Sequence, residues 1–471
     1  MCDPAGTEID GVTGTDMLTA LLTDPFDDPF AEPVLPEPGA SLVDGRTGGV
    51  LGGAHLAAAV TAAAGVLASA QPGLVLALAP RTVSTVLAWL GAVQARRPIA
   101  LIDPALGPEA LDELVRRYRP AAVLGVAGRP EPLPPPGYAA AAWPLLGDVW
   151  TGPGATGAHP ELCLLLATSA RTGSPTLVRH SRAGVLAQAA AVAAAAGIGP
   201  AGATATTMPL HHASGLAMVN AHLALGGRVT LGAGPATTLA LTPGAVRELD
   251  GFPGTVLQAG GRMRPADALA ARAGRLLLSY GQAEAGRMAV LPAELLAERA
   301  GAAGLPVRGG RFGVRDLDLG RPLATGVTGE LVFAGPGVMM GYASGAHDLV
   351  RGDDLGGDLP TGDLGHVDAD GVVTVTGRIR RTGTVLGTRI SLDDVEQMLR
   401  HRGPVAAVDG DDRLVVWTEQ ATAEQRADIR AELAGRTGLD GAGIDVRDLP
   451  ALPLLASGSV DYGRLRELST T

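Results

Sequence analysis

From Ala54 onward the chain alternates two kinds of segment. Ala-rich stretches with apolar positions at helical spacing give way to short runs that are apolar throughout. AHLAAAVTAAAGVLASA predicts a helix, LVLALA (Leu74–Ala79) a strand, TVSTVLAWLGAVQARR (Thr82–Arg97) a helix and PIALID a strand. PEALDELVRRYRP sets Leu111, Leu114 and Val115 on one helical face, stops at Pro120 and feeds the strand AAVLGV. Continuously apolar strands separated by helices belong to a parallel sheet covered on both faces. The fold class is therefore α/β.

Three further shifts in pattern set the boundaries. Residues 1–53 are acidic and rich in Pro and Gly, which predicts an irregular arm with one short helix near Asp16–Leu22. Pro130–Pro160, again dense in Pro and Gly, reads as a connection. Beyond Gly362 the texture turns to alternation: HVDADGVVTVTGRIRRTGTVLGTRI, with a turn at Asp370–Gly371, predicts a hairpin or small antiparallel sheet. Ser391 and Asp394 form a cap pattern for the helix LDDVEQMLRHR, VAAVDGDDRLVVWTE reads as strands and ATAEQRADIRAELAG as a helix. The expected organisation is an arm over 1–53, a large core of layered sheets and helices over 54–378, and a small C-terminal α+β domain over 379–471.

Composition narrows the function classes. A net charge of −11 argues against nucleic acid or an anionic membrane as partner. Cys2 and Cys163 are too few and too far apart for a disulfide framework, and the first residues lack a signal-peptide core, so a cytoplasmic protein is expected. Ala183–Gly227 lacks Asp, Glu and Arg, but its Gly and Pro breaks read as buried globular structure rather than a membrane span. The sequence contains no lysine: all 37 basic residues are arginine.

The chemistry gathers around Leu162–Gly197. An apolar run leads into a loop bearing Thr168, Ser169, Thr172, Gly173 and Ser174, and a helical pattern follows, with Ser181 placed to cap it and Gly197 to end it. Hydroxyls and backbone N–H groups ahead of a helix start suit phosphate oxygens. The strand-and-turn segments that follow put small-residue turns at strand ends, where open α/β sheets bind ligands.

The order of these motifs resembles the adenylate-forming superfamily: acyl- and aryl-CoA synthetases, nonribosomal peptide synthetase adenylation domains and luciferase. Thr168-Ser169-Ala170-Arg171-Thr172-Gly173-Ser174-Pro175-Thr176 resembles its phosphate loop, and Pro209-Leu210-His211-His212-Ala213-Ser214-Gly215 its P-L-x-H-x-x-G signature. Ala259-Gly260-Gly261 and Tyr280-Gly281-Gln282-Ala283-Glu284 resemble the adenine and Y-G-x-T-E signatures, Thr361-Gly362-Asp363 the T-G-D signature and Gly377-Arg378 the next.

The resemblance implies activation of a small carboxylic acid with ATP as an acyl-adenylate, AMP as the nucleotide product, and transfer to coenzyme A, the phosphopantetheine thiol of an acyl-carrier protein, or an amine. It implies that His212 borders the acyl pocket, Glu284 holds Mg2+, Asp363 takes the ribose hydroxyls, Arg378 contacts ribose or phosphate, and the C-terminal domain moves. Gly260, Gly261, Tyr280 and Gly281 would frame the adenine, and Thr168, Ser169, Thr172 and Gly173 the phosphates.

The departures from the family are as specific as the matches. Thr176, Thr384 and Ser459 stand where the family has lysines, the last at the catalytic position within Pro453–Asp461, and Ala283 replaces the α-phosphate threonine. Three readings stay open on the sequence: a ligase in which arginines such as Arg171, Arg179 or Arg381 supply the charge; a related condensation or acyl transfer without the ATP half-reaction; and a non-catalytic binding relative.

Overall fold

The computed structural model describes residues 36–127, 134–154, 157–167, 177–259, 268–296, 298–299, 301–317, 319–379, 382–385, 388–410, 412–453 and 460–469. The helix expected near Asp16–Leu22 lies outside them. The chain divides into two compact units, with the boundary between Gly377 and Arg378.

In the large unit, the strands Leu162–Ala167, Ile99–Ile102, Val75–Leu78 and Ala122–Leu124 lie side by side and parallel. Alternate residues feed different cores. Val75, Ala77, Ile99 and Leu101 join one apolar cluster, and Leu76, Leu78, Ala100 and Ile102 another. Helices Gly53–Ser69, Val83–Gln94 and Pro108–Tyr118 follow the predicted order. Burial on both faces is why these strands are apolar at every position.

Two expectations fail at the margins. Pro130–Pro160 contains the paired strands Ala139–Trp143 and Gly147–Thr151, which extend this sheet through Ala122–Leu124. The arm is not irregular throughout: Ser41–Asp44 and Val50–Gly52 are strands, the former pairing in parallel with Arg228–Leu231. Leu42, fully buried, supplies the reason, since it enters the same core as Val229.

A second sheet carries the site. Its parallel part runs from Ser41–Asp44 through Arg228–Leu231, Ala203–Ala205, Thr238–Leu241 and Phe252–Gln258 to Ala273–Gln282. From there it continues through Gly286–Pro292, Ala302–Pro306, Val373–Arg378, Asp358–Val367 and Gly329–Ala334 to Arg311–Arg315. The predicted Asp370–Gly371 turn joins two of these strands, with the Gly371 N–H donating to the Asp368 carbonyl at 3.1 Å. Helices Arg182–Ala196 and Ala213–Ala224 pack on each other and on this sheet. As expected, Ser181 Oγ accepts from the Gly184 N–H at 3.0 Å and Gly197 closes the first helix in the left-handed region, φ 65°.

The small unit holds Val405–Gly410 antiparallel to Arg413–Glu419, with Ile444–Leu449 parallel on the other side. Helix Ala423–Thr437 opens with a capping box between Thr422 and Gln425. Helices Leu392–Leu399 and Tyr462–Ser469 flank the strands, Leu392 and Val395 joining one core and Leu465 another.

No helix among the described residues is long and apolar enough to cross a membrane. Met339 and Met340 are core residues, and burial pushes the Cys163 thiol up to about 11, which keeps it protonated. Arg116 and Arg117 both pair with Glu113 on an exposed helix face.

Two buried histidines give the fold a pH dependence. Desolvation lowers His180 and His222 from 6.5 to about 4, so both rings are neutral in the folded chain. The unfolded chain takes up those protons once the pH falls below about 6.5. Stability is therefore expected to decline as pH drops from about 6.5 to about 4, and these two groups contribute no slope above that window. Thermal midpoints measured across the range check this, and His222→Asn should flatten part of the slope.

Candidate active site

The site is built on one hairpin and one neighbouring strand. Ala273–Gln282 and Gly286–Pro292 pair antiparallel, with Gln282 opposite Gly286 and Gly281 opposite Arg287. The tight return between them carries Ala283, Glu284 and Ala285. A Cβ at Gly281 would collide with the Gly286 carbonyl, so glycine is required for the strands to close here.

Two side chains of this hairpin converge on Asp363. The Tyr280 hydroxyl donates to Asp363 Oδ2 at 2.7 Å, and Gln282 Nε2 donates to the same oxygen at 3.0 Å. Gln282 Nε2 also reaches the Thr361 carbonyl at 2.8 Å. Thr361 fixes the backbone of Asp363: its hydroxyl donates to the Leu331 carbonyl at 2.8 Å and accepts from the Asp363 N–H at 3.1 Å. Asp363 is only 8% exposed, yet three neighbours hold it in place. The Tyr280 ring stacks on Phe312 with centroids 6.1 Å apart, and burial together with the adjacent carboxylate raises its hydroxyl above the usual phenol range.

Glu284 sits in the return of the same hairpin. Its Oε1 accepts from the Tyr342 hydroxyl at 2.9 Å, and its carbonyl accepts from the Met339 N–H at 2.8 Å. Tyr342 is positioned in turn by Arg179. That guanidinium is fully buried and donates to Asp354 Oδ2 at 2.5 Å and to the carbonyls of Arg351, Met340, Gly352 and Tyr342 at 2.6, 3.0, 3.1 and 3.3 Å. The expectation that Arg179 supplies charge to phosphates is thereby corrected: its donors are spent clamping Leu177–Ser181 to Gly341–Ala343.

His212 occupies the N-cap position of helix Ala213–Ala224 without capping it, and its ring meets His211 edge-on at 5.0 Å. Burial lowers its pKa, Asp103 opposing the shift, which favours a neutral ring at pH 7. Arg378 ends the strand Val373–Arg378, and its side chain lies outside the described residues. Thr168, Ser169, Thr172, Gly173, Gly260, Gly261 and Ser459 also lie outside them, as do Arg171, Thr176 and Arg381.

The structure thus joins Tyr280 and Asp363, and places Gly281 and Glu284 on the same hairpin. Sequence reasoning missed Gln282 and Tyr342. The signal for Gln282 was its spacing of two from Tyr280 on one strand, which sends both side chains to the same face. Tyr342 had no such signal, since its role depends on the Arg179 clamp.

The family described as AMP-binding enzyme matches residues 40–343. The chain belongs to that family. The matched stretch includes the Pro209–Gly215 and Tyr280–Glu284 segments, whereas Asp363, Arg378 and Ser459 fall beyond it. The chain is 36% identical over 204 residues to the non-ribosomal peptide synthetase CmlP of Streptomyces venezuelae, a match covering 42% of this chain and 21% of that protein. It is 31% identical over 272 residues to the sulfoacetate–CoA ligase of Cupriavidus necator, covering 52% and 53%. The matches therefore span about a fifth and about half of these relatives' lengths. The crystal structure of ATP-bound MatB from Rhodopseudomonas palustris shares the fold at a TM-score of 0.60 and 21% identity, covering 94% of this chain and 98% of that one. These relatives bear out the resemblance to the adenylate-forming superfamily and the fold class it implied.

Proposed function

We propose that this AMP-binding family member activates a small carboxylic acid with ATP as an acyl-adenylate and passes the acyl group to a thiol, that of coenzyme A or of a carrier protein. The observation that carries the reading is the Tyr280–Gln282–Asp363 cluster. A carboxylate held rigidly by a phenol and an amide, beside an aromatic face, suits a ribose diol under a stacked purine. In this reading Asp363 accepts the ribose hydroxyls, Tyr280 flanks the adenine with Gly260, Gly261 and Gly281, and Thr168, Ser169, Thr172 and Gly173 meet the phosphates. Arg378 contacts ribose or phosphate, and His212 borders the acyl pocket.

The acid's carboxylate oxygen bonds to the α-phosphorus while the bond to pyrophosphate breaks; the thiolate sulfur then bonds to the acyl carbon and AMP leaves. Glu284, held by Tyr342, fits Mg2+, which takes one or two protein carboxylates and fills its other positions with phosphate oxygens and water. When bound there, the ion neutralises charge on the phosphates. The relatives' names support a thiol acceptor, since one is a CoA ligase and another a peptide synthetase.

Pyrophosphate exchange with a panel of carboxylic acids, run beside AMP titration calorimetry, tests the proposal. Acid-dependent exchange with AMP binding supports it. AMP binding without exchange, or no nucleotide binding, overturns it.

A further inference from the structure

Asp363 lies in an irregularity of its strand. Gly329–Ala334 and Asp358–Val367 pair antiparallel, with Glu330 opposite Leu364 and Val332 opposite Pro360. Leu331 on the first strand therefore faces three residues on the second, Thr361, Gly362 and Asp363. The surplus is a bulge, which re-aims a side chain out of the regular pleat. Gly362, at its middle, adopts the left-handed region with φ 69°.

Backbone groups in a bulge lose their ladder partners, and here two side chains take them up. Thr361 Oγ1 accepts from the Asp363 N–H, and Glu330 Oε1 accepts from the Gly362 N–H at 3.2 Å. The other oxygen of the same carboxylate, Oε2, accepts from Arg315 Nε at 2.5 Å. Arg315 stands opposite Glu330 on the strand Arg311–Arg315, whose Phe312 stacks on Tyr280.

Glu330 is 9% exposed, so its charge is held largely out of water. The Arg315 guanidinium and the Gly362 N–H together offset that cost. An apolar side chain would serve the sheet as well; what it would not supply is an acceptor for Gly362. Without one, the Thr361–Gly362 peptide is free to turn, because glycine tolerates both signs of φ. Asp363 is the next residue along.

We propose that Glu330 is a positioning residue for the sugar of the nucleotide: it fixes the Gly362 peptide and so aims the Asp363 carboxylate at the ribose hydroxyls. The inference rests on the reading of Asp363 as the group that accepts those hydroxyls. Its signature is lost discrimination rather than lost binding. A tie that acts through Asp363 matters only to a ligand with hydroxyls to donate.

Titration calorimetry with AMP beside dideoxy-AMP, which lacks both ribose hydroxyls, tests this in wild type, Glu330→Met and Glu330→Gln. Wild type is expected to prefer AMP by on the order of 10²-fold. Glu330→Met keeps the volume and removes the acceptor, and Arg315, partly exposed, can turn to water. It should cut the preference to about tenfold or less while binding dideoxy-AMP as wild type does, which also shows the site is folded. Glu330→Gln retains an oxygen for the Gly362 N–H and should keep most of the preference. Wild type that binds both nucleotides equally removes Asp363 from the ribose, and the inference falls with it. Wild-type preference with an undiminished preference in Glu330→Met, a preference lost in Glu330→Gln, or equal weakening of both nucleotides in Glu330→Met overturns the role of Glu330 and leaves Asp363 at the ribose.

Discussion

Asp363→Ala is expected to weaken AMP binding by on the order of 10²-fold, read by titration calorimetry. Each hydrogen bond to a charged acceptor contributes about 1.5–3 kcal/mol, and the proposed ribose contact uses two. Part of that gain is already matched by water in the unbound site, so about 3 kcal/mol is the net expectation, or roughly a hundredfold. The strand itself should survive the change, because Thr361 remains bonded to the Leu331 carbonyl and Gln282 to the Thr361 carbonyl. Asp363→Asn separates charge from position: the amide oxygen keeps the Tyr280 hydroxyl partnered while the carboxylate's charge is gone. A smaller loss, about tenfold, is expected. AMP binding at wild-type strength in both variants would remove Asp363 from the nucleotide site.

The legible parts of the fold were those that local pattern decides. Val75–Leu78 and Ile99–Ile102 are buried at every position and so are apolar at every position, and Ser181 and Gly197 mark helix ends through side-chain and backbone chemistry confined to a few residues. What stayed hidden was decided by distant partners. Ser41–Asp44 is a strand because Arg228–Leu231 offers it a parallel edge, and no window of local sequence contains that fact. Ala139–Trp143 has four alanines and a Pro-rich approach, hence weak strand preference, and becomes a strand by pairing with Gly147–Thr151.

The candidate site divides along the same line. Tyr280, Glu284 and Asp363 were recognisable from motif order, which records chemistry. Their supports were not: Gln282 bridges to Asp363 only because the two strands are brought into one sheet, and Tyr342 reaches Glu284 only because Arg179 anchors its strand. Arg179 and Arg287 look alike in sequence, yet one is a saturated clamp and the other a buried cation whose Nε and Nη2 lack partners. Only burial and partner geometry distinguish them.

Ser459→Lys is expected to raise the rate of adenylate formation on the order of 10²–10³-fold, provided the rest of the site performs the proposed chemistry. The frame Pro453–Asp461 resembles the segment whose lysine reaches the acid carboxylate and the α-phosphate, and serine offers no charge there. Loss of one preorganised donor aimed at developing charge typically costs about 3–4 kcal/mol of barrier, which sets the size of the gain on restoring it. Arg179 does not substitute, since Asp354 and four carbonyls hold it. The increase should appear in pyrophosphate exchange and leave AMP affinity nearly unchanged, because the lysine would act on charge that develops during attack rather than on the nucleotide at rest. An unchanged rate in a folded variant would mean that the α-phosphate charge is met from elsewhere in this chain. Arg171 and Arg381 would then be the next residues to neutralise, the first within the phosphate-loop segment and the second three residues past Arg378.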